Sequence, residues 1–187
     1  MRHPGKVKFG KSGKAYSRSV VSIHIGEYYV TSNPVVIRTF LGSCVAACLF
    51  DPVNKIGGMN HILIPGSAKE SDTTGTARYS FNSMKQVLDA MLELGANREK
   101  IVAKIFGGAS VIPEIPEKDS VGHKIISNVL DFLSEEKIQI VKSDFGGDKS
   151  RKVYFHTDNG AVYLQRKPSY KTNVIESEKL SRKNLLG

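Results

Sequence analysis

The chain has 187 residues, 40% of them hydrophobic and 24% charged, which suits one domain with its own core and leaves little room for two. Its net charge of +9 would suggest a nucleic-acid binder, but the excess sits at the ends: residues 1–18 carry +6, residues 166–187 carry +4, and residues 19–165 come to −1. The sequence therefore gives no support for a phosphate-binding face, and no apolar run approaches the roughly 18–20 residues that span a bilayer.

The N-terminus is basic with no apolar segment behind it, so it reads as no secretory signal and the expected location is the cytoplasm. Two cysteines, Cys44 and Cys48, make no disulfide framework and are expected to stay reduced there. Residues 1–18 are rich in Lys, Gly and Ser and read as a flexible basic extension. Residues 19–166 read as a single domain, and 167–187 as a polar basic tail.

Val20 to Thr31 alternates as a strand, with Val21, Ile23 and Ile25 on one side and His24 on the polar side. Asn33-Pro34 signals a turn, and Val35-Val36-Ile37 opens a second strand that leads into Thr39-Phe40-Leu41-Gly42-Ser43-Cys44. Val45 to Phe50 is a continuous apolar run, compatible with a buried strand or the first turns of a buried helix. Gly57-Gly58 is expected to give backbone freedom before a core strand running from Met59 through His61 to Pro65. Residues 66–78 read as a long polar loop.

Met84, Val87, Leu88, Met91 and Leu92 recur at helical spacing, with Gly95 as the C-terminal stop. The methionines at that spacing are core fillers. Ile101 to Phe106 is a strand ending in Gly107-Gly108-Ala109, a pairing that either turns the chain or cradles an anion or substrate backbone. A loop with Pro113 and Pro116 precedes a second helix marked by Ile126, Val129, Leu130 and Leu133, with Ser120 as its N-cap. Lys137–Asp144 is a strand, and Lys152–His156 pairs with Ala161–Leu164 across the hairpin turn Asp158-Asn159-Gly160. Two helices and about eight strands make a mixed α/β domain.

The chemistry-bearing residues are the thiol of Cys44, after a Gly-Ser turn, and the imidazole of His61, at the start of the next apolar segment. A free thiol has a pKa of about 8.5, so a nucleophile needs help from an adjacent base. Gly42 and Ser43 leave the sulfur approachable, and the N–H groups of their turn can hold an oxyanion. Thr39, arriving from the preceding strand, can orient the base through its second ring nitrogen. Asn60 is the poorer choice, because neighbours on a strand point to opposite faces. A cysteine beside apolar residues is also a common core residue, and Cys48 fits that description. Cys44, Cys48 and His61 lack a fourth metal ligand at familiar spacing. On these residues alone, catalysis and plain packing stay open.

Taken together, Thr39–Ala46, Gly57–Leu63, Ala103–Ala109 and Asp144–Gly147 resemble, in order and at sensible separations, the CheD family of bacterial chemoreceptor glutamine deamidases. The resemblance implies packed β-sheets with two main helices on one side, like the cysteine hydrolases related to cytotoxic necrotizing factor. It implies a catalytic set of Cys44, His61 and Thr39, a thioester mechanism, and no metal or organic cofactor. The implied substrate is a glutamine on the cytoplasmic helices of a chemoreceptor, and a phosphatase of the CheC type is an implied partner. Neither nucleic acid nor membrane insertion is implied. Gly122-His123-Lys124 departs from the Gly-Arg-Asn common in the family, which bears on contacts made there. A regulator that binds the phosphatase or the receptors without using the thiol is the competing reading, and a cysteine peptidase is a third.

Overall fold

The computed structural model describes residues 19–67, 76–110 and 116–167. The two basic ends, most of the 66–78 loop and half of the proline loop lie outside these residues.

Among the described residues, nine strands form two sheets. In chain order the strands are β1 (Ser19–Ser22), β2 (Tyr28–Thr31), β3 (Val35–Leu41), β4 (Val45–Asp51), β5 (Ile56–Asn60), β6 (Val102–Gly107), β7 (Gln139–Phe145), β8 (Ser150–His156) and β9 (Val162–Lys167). One sheet has the order β1-β3-β8-β9 and the other β2-β5-β4-β6-β7. Helices α1 (Ser80–Glu93) and α2 (Val121–Glu135) both pack on the five-stranded sheet. The result is three layers, four-stranded sheet, five-stranded sheet and helices, with the mixed α/β character read from the elements and the one-sided helices that the family resemblance implied.

This layering explains the unbroken apolar run of β4, which is buried at all seven positions. Val45, Ala47 and Leu49 meet the helices, while Ala46, Cys48 and Phe50 meet the other sheet. A strand covered on both faces loses the usual apolar–polar alternation, which is why periodicity could not separate it from a helix. Gly57 and Gly58 lie inside β5 rather than in a free turn. A Cβ at Gly58 would fall 2.8 Å from Val30 and 2.9 Å from Val87, so its bareness admits β2 and α1.

The helices follow their pattern: α1 buries Met84, Val87, Leu88 and Met91, and Ser120 caps α2 by accepting the His123 N–H at 3.1 Å. Three expectations are corrected. Val20–Thr31 is not one strand, because β1 joins the four-stranded sheet and β2 the five-stranded one. His24 sits in the exposed turn between them rather than on a strand. The strand after Gly57-Gly58 also ends at Asn60; His61 and Leu63 leave the ladder, with isolated bridges at Ile62 and Ile64.

Asp51 closes β4. Its carboxylate accepts from the N–H groups of Val53, Asn54 and Asn97 and from the Asn54 side chain, at 2.7–3.2 Å. Burial pushes this carboxyl up, and the hydrogen bonds more than offset that, holding it below its ordinary value. Asp51→Ala leaves those donors without their acceptor and is expected to lower unfolding free energy by about 2–4 kcal/mol. Urea unfolding at pH 7 measures it.

Candidate active site

Val45 and Ile62 exchange both backbone hydrogen bonds, Val45 N–H to Ile62 at 3.1 Å and Ile62 N–H to Val45 at 2.8 Å. Both side chains face the helices. Their neighbours Cys44 and His61 therefore face the other way, toward the four-stranded sheet. Cys44 lies in the inter-sheet cluster, and His61 meets Thr39 from β3. In this register Cys44 and His61 occupy a diagonal on one face, a relation that puts backbone positions about 7–8 Å apart and long side chains within reach. Asn60 points to the opposite side, where its Oδ1 accepts from Ala47 N–H at 2.8 Å and its Nδ2 meets Met84 Sδ at 3.4 Å.

The imidazole is held by one hydroxyl. Thr39 Oγ1 lies 2.7 Å from His61 Nδ1 and 2.9 Å from the Ile23 carbonyl oxygen. A carbonyl only accepts, so the single hydroxyl proton goes to Ile23, and Thr39 Oγ1 accepts the His61 Nδ1–H. That tautomer leaves the Nε2 lone pair bare. His61 Nε2 is buried and has no hydrogen-bond partner among the described residues, the Cys44 thiol included.

Burial pulls His61 down to about 4, with the charge of His24 acting in the same direction and that of Glu27 opposing it. Burial also pushes the Cys44 thiol up, against the pull of its own backbone N–H. Cys44 is 8% exposed and His61 4%. Both shifts run toward a neutral thiol and a neutral imidazole in a nearly closed inter-sheet space, opposite in direction to the thiolate that an adjacent imidazole was expected to favour. Cys48, fully enclosed two residues beyond Ala46 on the same strand face, is a packing residue, its thiol driven up past any working range.

The turn before Cys44 is gripped from behind. Gly108 N–H donates to the Cys44 carbonyl at 2.7 Å and Ala109 N–H to the Gly42 carbonyl at 2.9 Å. Gly107, at φ +107°, has no room for a side chain: a Cβ would fall 2.2 Å from the Cys44 oxygen. Gly146 N–H then reaches the Gly107 carbonyl at 2.9 Å, and Ser110 N–H reaches Gly147 at 2.8 Å. Buried Arg151 locks this outer turn, donating to Asp144 Oδ1 at 2.9 Å and to the Gly146 carbonyl at 2.8 Å, and Arg166 also pairs with Asp144. Gly107-Gly108 therefore cradles the backbone of the cysteine turn. Sequence reading noted the glycines but missed this partner, because nothing local tells a strand end which backbone will meet it.

With the Gly42 and Cys44 carbonyls turned toward Gly108 and Ala109, the trans peptide geometry points the Ser43 N–H away from them. A cleft of about 600 Å³ is lined by Gly108, by His123, Ile126 and Leu130 of α2 and by Phe145.

The fold and this arrangement define a mixed α/β domain in which an imidazole meets a hydroxyl between two sheets, with a thiol in the same inter-sheet layer. The chain belongs to the CheD family: the family model described as CheD chemotactic sensory transduction matches residues 63–166. A protein of Anaeromyxobacter dehalogenans named probable chemoreceptor glutamine deamidase CheD 1 is 38% identical over 84% of this chain and 90% of its own length. One of Rhizobium leguminosarum bv. trifolii, named probable chemoreceptor glutamine deamidase CheD, is 46% identical over 74% of this chain and 76% of its own. A Shewanella oneidensis protein with the first of these names is 38% identical over 91% of this chain and 85% of its own. Among the described residues no helix is long and apolar enough to cross a membrane.

A histidine held at about 4 in the fold, against an ordinary 6.5, makes the unfolded chain the better proton acceptor between those values. Stability is full above pH 6.5 and falls as pH drops toward 4. His61 alone is expected to remove about 2 kcal/mol between pH 7 and pH 5. Urea unfolding at both pH values should show this loss in the wild type and a smaller one in His61→Gln.

Proposed function

We propose that this protein deamidates glutamine side chains on chemoreceptors, with Cys44 as nucleophile, His61 as base and Thr39 as the group that orients the base. The observation that carries the reading is the bare Nε2 of His61, its tautomer set by Thr39, on the same sheet face as Cys44. The relatives' names supply the substrate class.

In this scheme His61 Nε2 takes the thiol proton as Cys44 Sγ attacks the glutamine carboxamide carbon. Starting from a neutral pair, the enzyme separates charge only when substrate is in place, which protects the sulfur from adventitious chemistry. The N–H groups of Ser43 and Cys44, in the turn that begins at Gly42, donate to the oxyanion. His61 then returns its proton to the departing amine, ammonia leaves, and a thioester remains on Cys44. Water, deprotonated by the same Nε2, attacks the thioester; glutamate is released and the thiol re-forms. One amide is exchanged for one carboxylate, with one water consumed and one ammonia produced. The residues supply every proton and electron pair this sequence needs.

Family membership also supports a phosphatase of the CheC type as a partner and the cytoplasm as the place of action. A purely regulatory member would have no use for the bare Nε2, which is why catalysis is preferred.

Mass spectrometry of a receptor cytoplasmic fragment tests the proposal. Wild type is expected to add about 1 Da at particular glutamines, the mass of exchanging an amide for a carboxylate. Cys44→Ala and His61→Ala should add none while keeping the wild-type fold at pH 7 by circular dichroism. Thr39→Val should cut the rate by about 10–1000-fold by freeing the tautomer. Cys48→Ala should retain most activity. Modification by Cys44→Ala, or cleavage of the fragment, would sink the assignment.

A further inference from the structure

The base and its orienting hydroxyl are tied to one short segment, the Ile23–Glu27 turn that carries the chain from one sheet to the other. The Ile23 carbonyl takes the Thr39 hydroxyl proton. Gly26 N–H donates to the His61 carbonyl at 2.9 Å, and His61 N–H donates to the Glu27 carbonyl at 3.0 Å. Ile23 is itself buried between the sheets, and its N–H donates to Arg38 of β3 at 3.0 Å. Both ends of the turn are therefore fixed, one to the strand bearing Thr39 and the other to the backbone of His61.

Glu27 closes the turn on itself. Its Oε2 accepts the His24 N–H at 2.8 Å, and its own N–H donates to the His24 carbonyl at 2.9 Å. Gly26, at φ +75°, allows the reversal and lets the stem of Arg78 lie over it; a Cβ there would fall 2.6 Å from Arg78 Cγ. The chain at this point has a carboxylate where the Cys-His-Thr set has none. Thr39 is neutral, so it can set the tautomer of His61 but cannot balance the positive charge that appears when Nε2 takes the thiol proton.

Resting on the deamidase reading above, we propose that Glu27 is a positioning residue for that base: its carboxylate fastens the turn that holds Thr39 and His61, and its charge supports the imidazolium formed during attack. Among the described residues, the charges that bear on His61 are those of His24 and Glu27 from this turn; Cys44 lies in the same inter-sheet layer, and the stem of Arg78 lies over Gly26. Of these, Glu27 is the group whose charge raises the proton affinity of His61, and His24 opposes it. Glu27 is exposed, so its field is partly screened and the expected effect is moderate.

Glu27→Gln separates the two roles, since its amide oxygen can still accept the His24 N–H while the charge is gone. Two-dimensional NMR of the His61 ring across pH, on the full chain without substrate, reads the effect independently of turnover. The titration midpoint is expected to fall by about 0.5 unit in Glu27→Gln and to rise in His24→Gln. With a receptor fragment as substrate, kcat in Glu27→Gln should fall by about 3–10-fold at pH 7 with KM unchanged, and rising salt should narrow the gap to wild type. Glu27→Asp, which keeps the charge, should recover most of kcat. A Glu27→Gln midpoint equal to that of the wild type overturns the proposal and leaves Glu27 as a turn cap. Absence of glutamine conversion by wild type would overturn the deamidase reading instead, while leaving the midpoint comparison intact.

Discussion

A single hydroxyl proton organises the site. Thr39 has one to give, and because the Ile23 carbonyl takes it, the threonine oxygen must accept from His61 Nδ1. That choice fixes which imidazole nitrogen stays basic. It also joins three separate stretches of chain, the end of β1, the middle of β3 and the residue after β5, at one point between the sheets. A donor–acceptor chain of this kind in a low-dielectric interior is costly to leave incomplete, so the same geometry that prepares the base also resists misplacement of the two sheets.

The scaffold around that point is rigid for reasons of packing. The central strands β4 and β5 of the five-stranded sheet are buried at every position, and the turn carrying Cys44 is fastened to the end of β6 by Gly108 and Ala109 N–H groups. Arg151 and Asp144 fasten the next turn outward in the same way. The sulfur is thus placed by backbone contacts on one side and the imidazole by the Ile23–Glu27 turn on the other. Both ionisable groups are shifted toward their neutral forms by burial. The shift of both groups toward neutrality and the preset tautomer are two consequences of the same closure between sheets.

Much of this was legible in the sequence where the signal is local. Helical spacing of Met84, Val87, Leu88 and Met91, the Ser120 cap and the Asp158-Asn159-Gly160 hairpin depend on neighbours within a few residues, and each took the form expected. The exclusion of Asn60 follows from strand alternation, and Thr39 is reachable because it arrives from the preceding strand; Thr39 Oγ1 meets His61 Nδ1 and Asn60 points to the other side. What was not legible depends on pairing at long range. Val21, Ile23 and Ile25 alternate as a continued strand would, yet the chain changes sheet after Ser22, and only the partners in β3 and β5 decide that. For the same reason His24 was read as a strand residue and Glu27 was not singled out at all. The grip of Gly107-Gly108 on the cysteine turn was hidden because the two segments are more than sixty residues apart in sequence. The burial of Cys44, which pushes its thiol toward the neutral form, is set by the facing sheet, which sequence spacing does not report.

The account turns on which ring nitrogen of His61 carries the proton. Long-range proton–nitrogen NMR correlation on the uniformly labelled protein at pH 7 reports this directly. A proton on Nδ1 and an unprotonated Nε2, converting to a mixture of tautomers in Thr39→Val, is the result expected. A wild-type ring protonated at Nε2, or one unaffected by loss of the Thr39 hydroxyl, would contradict it.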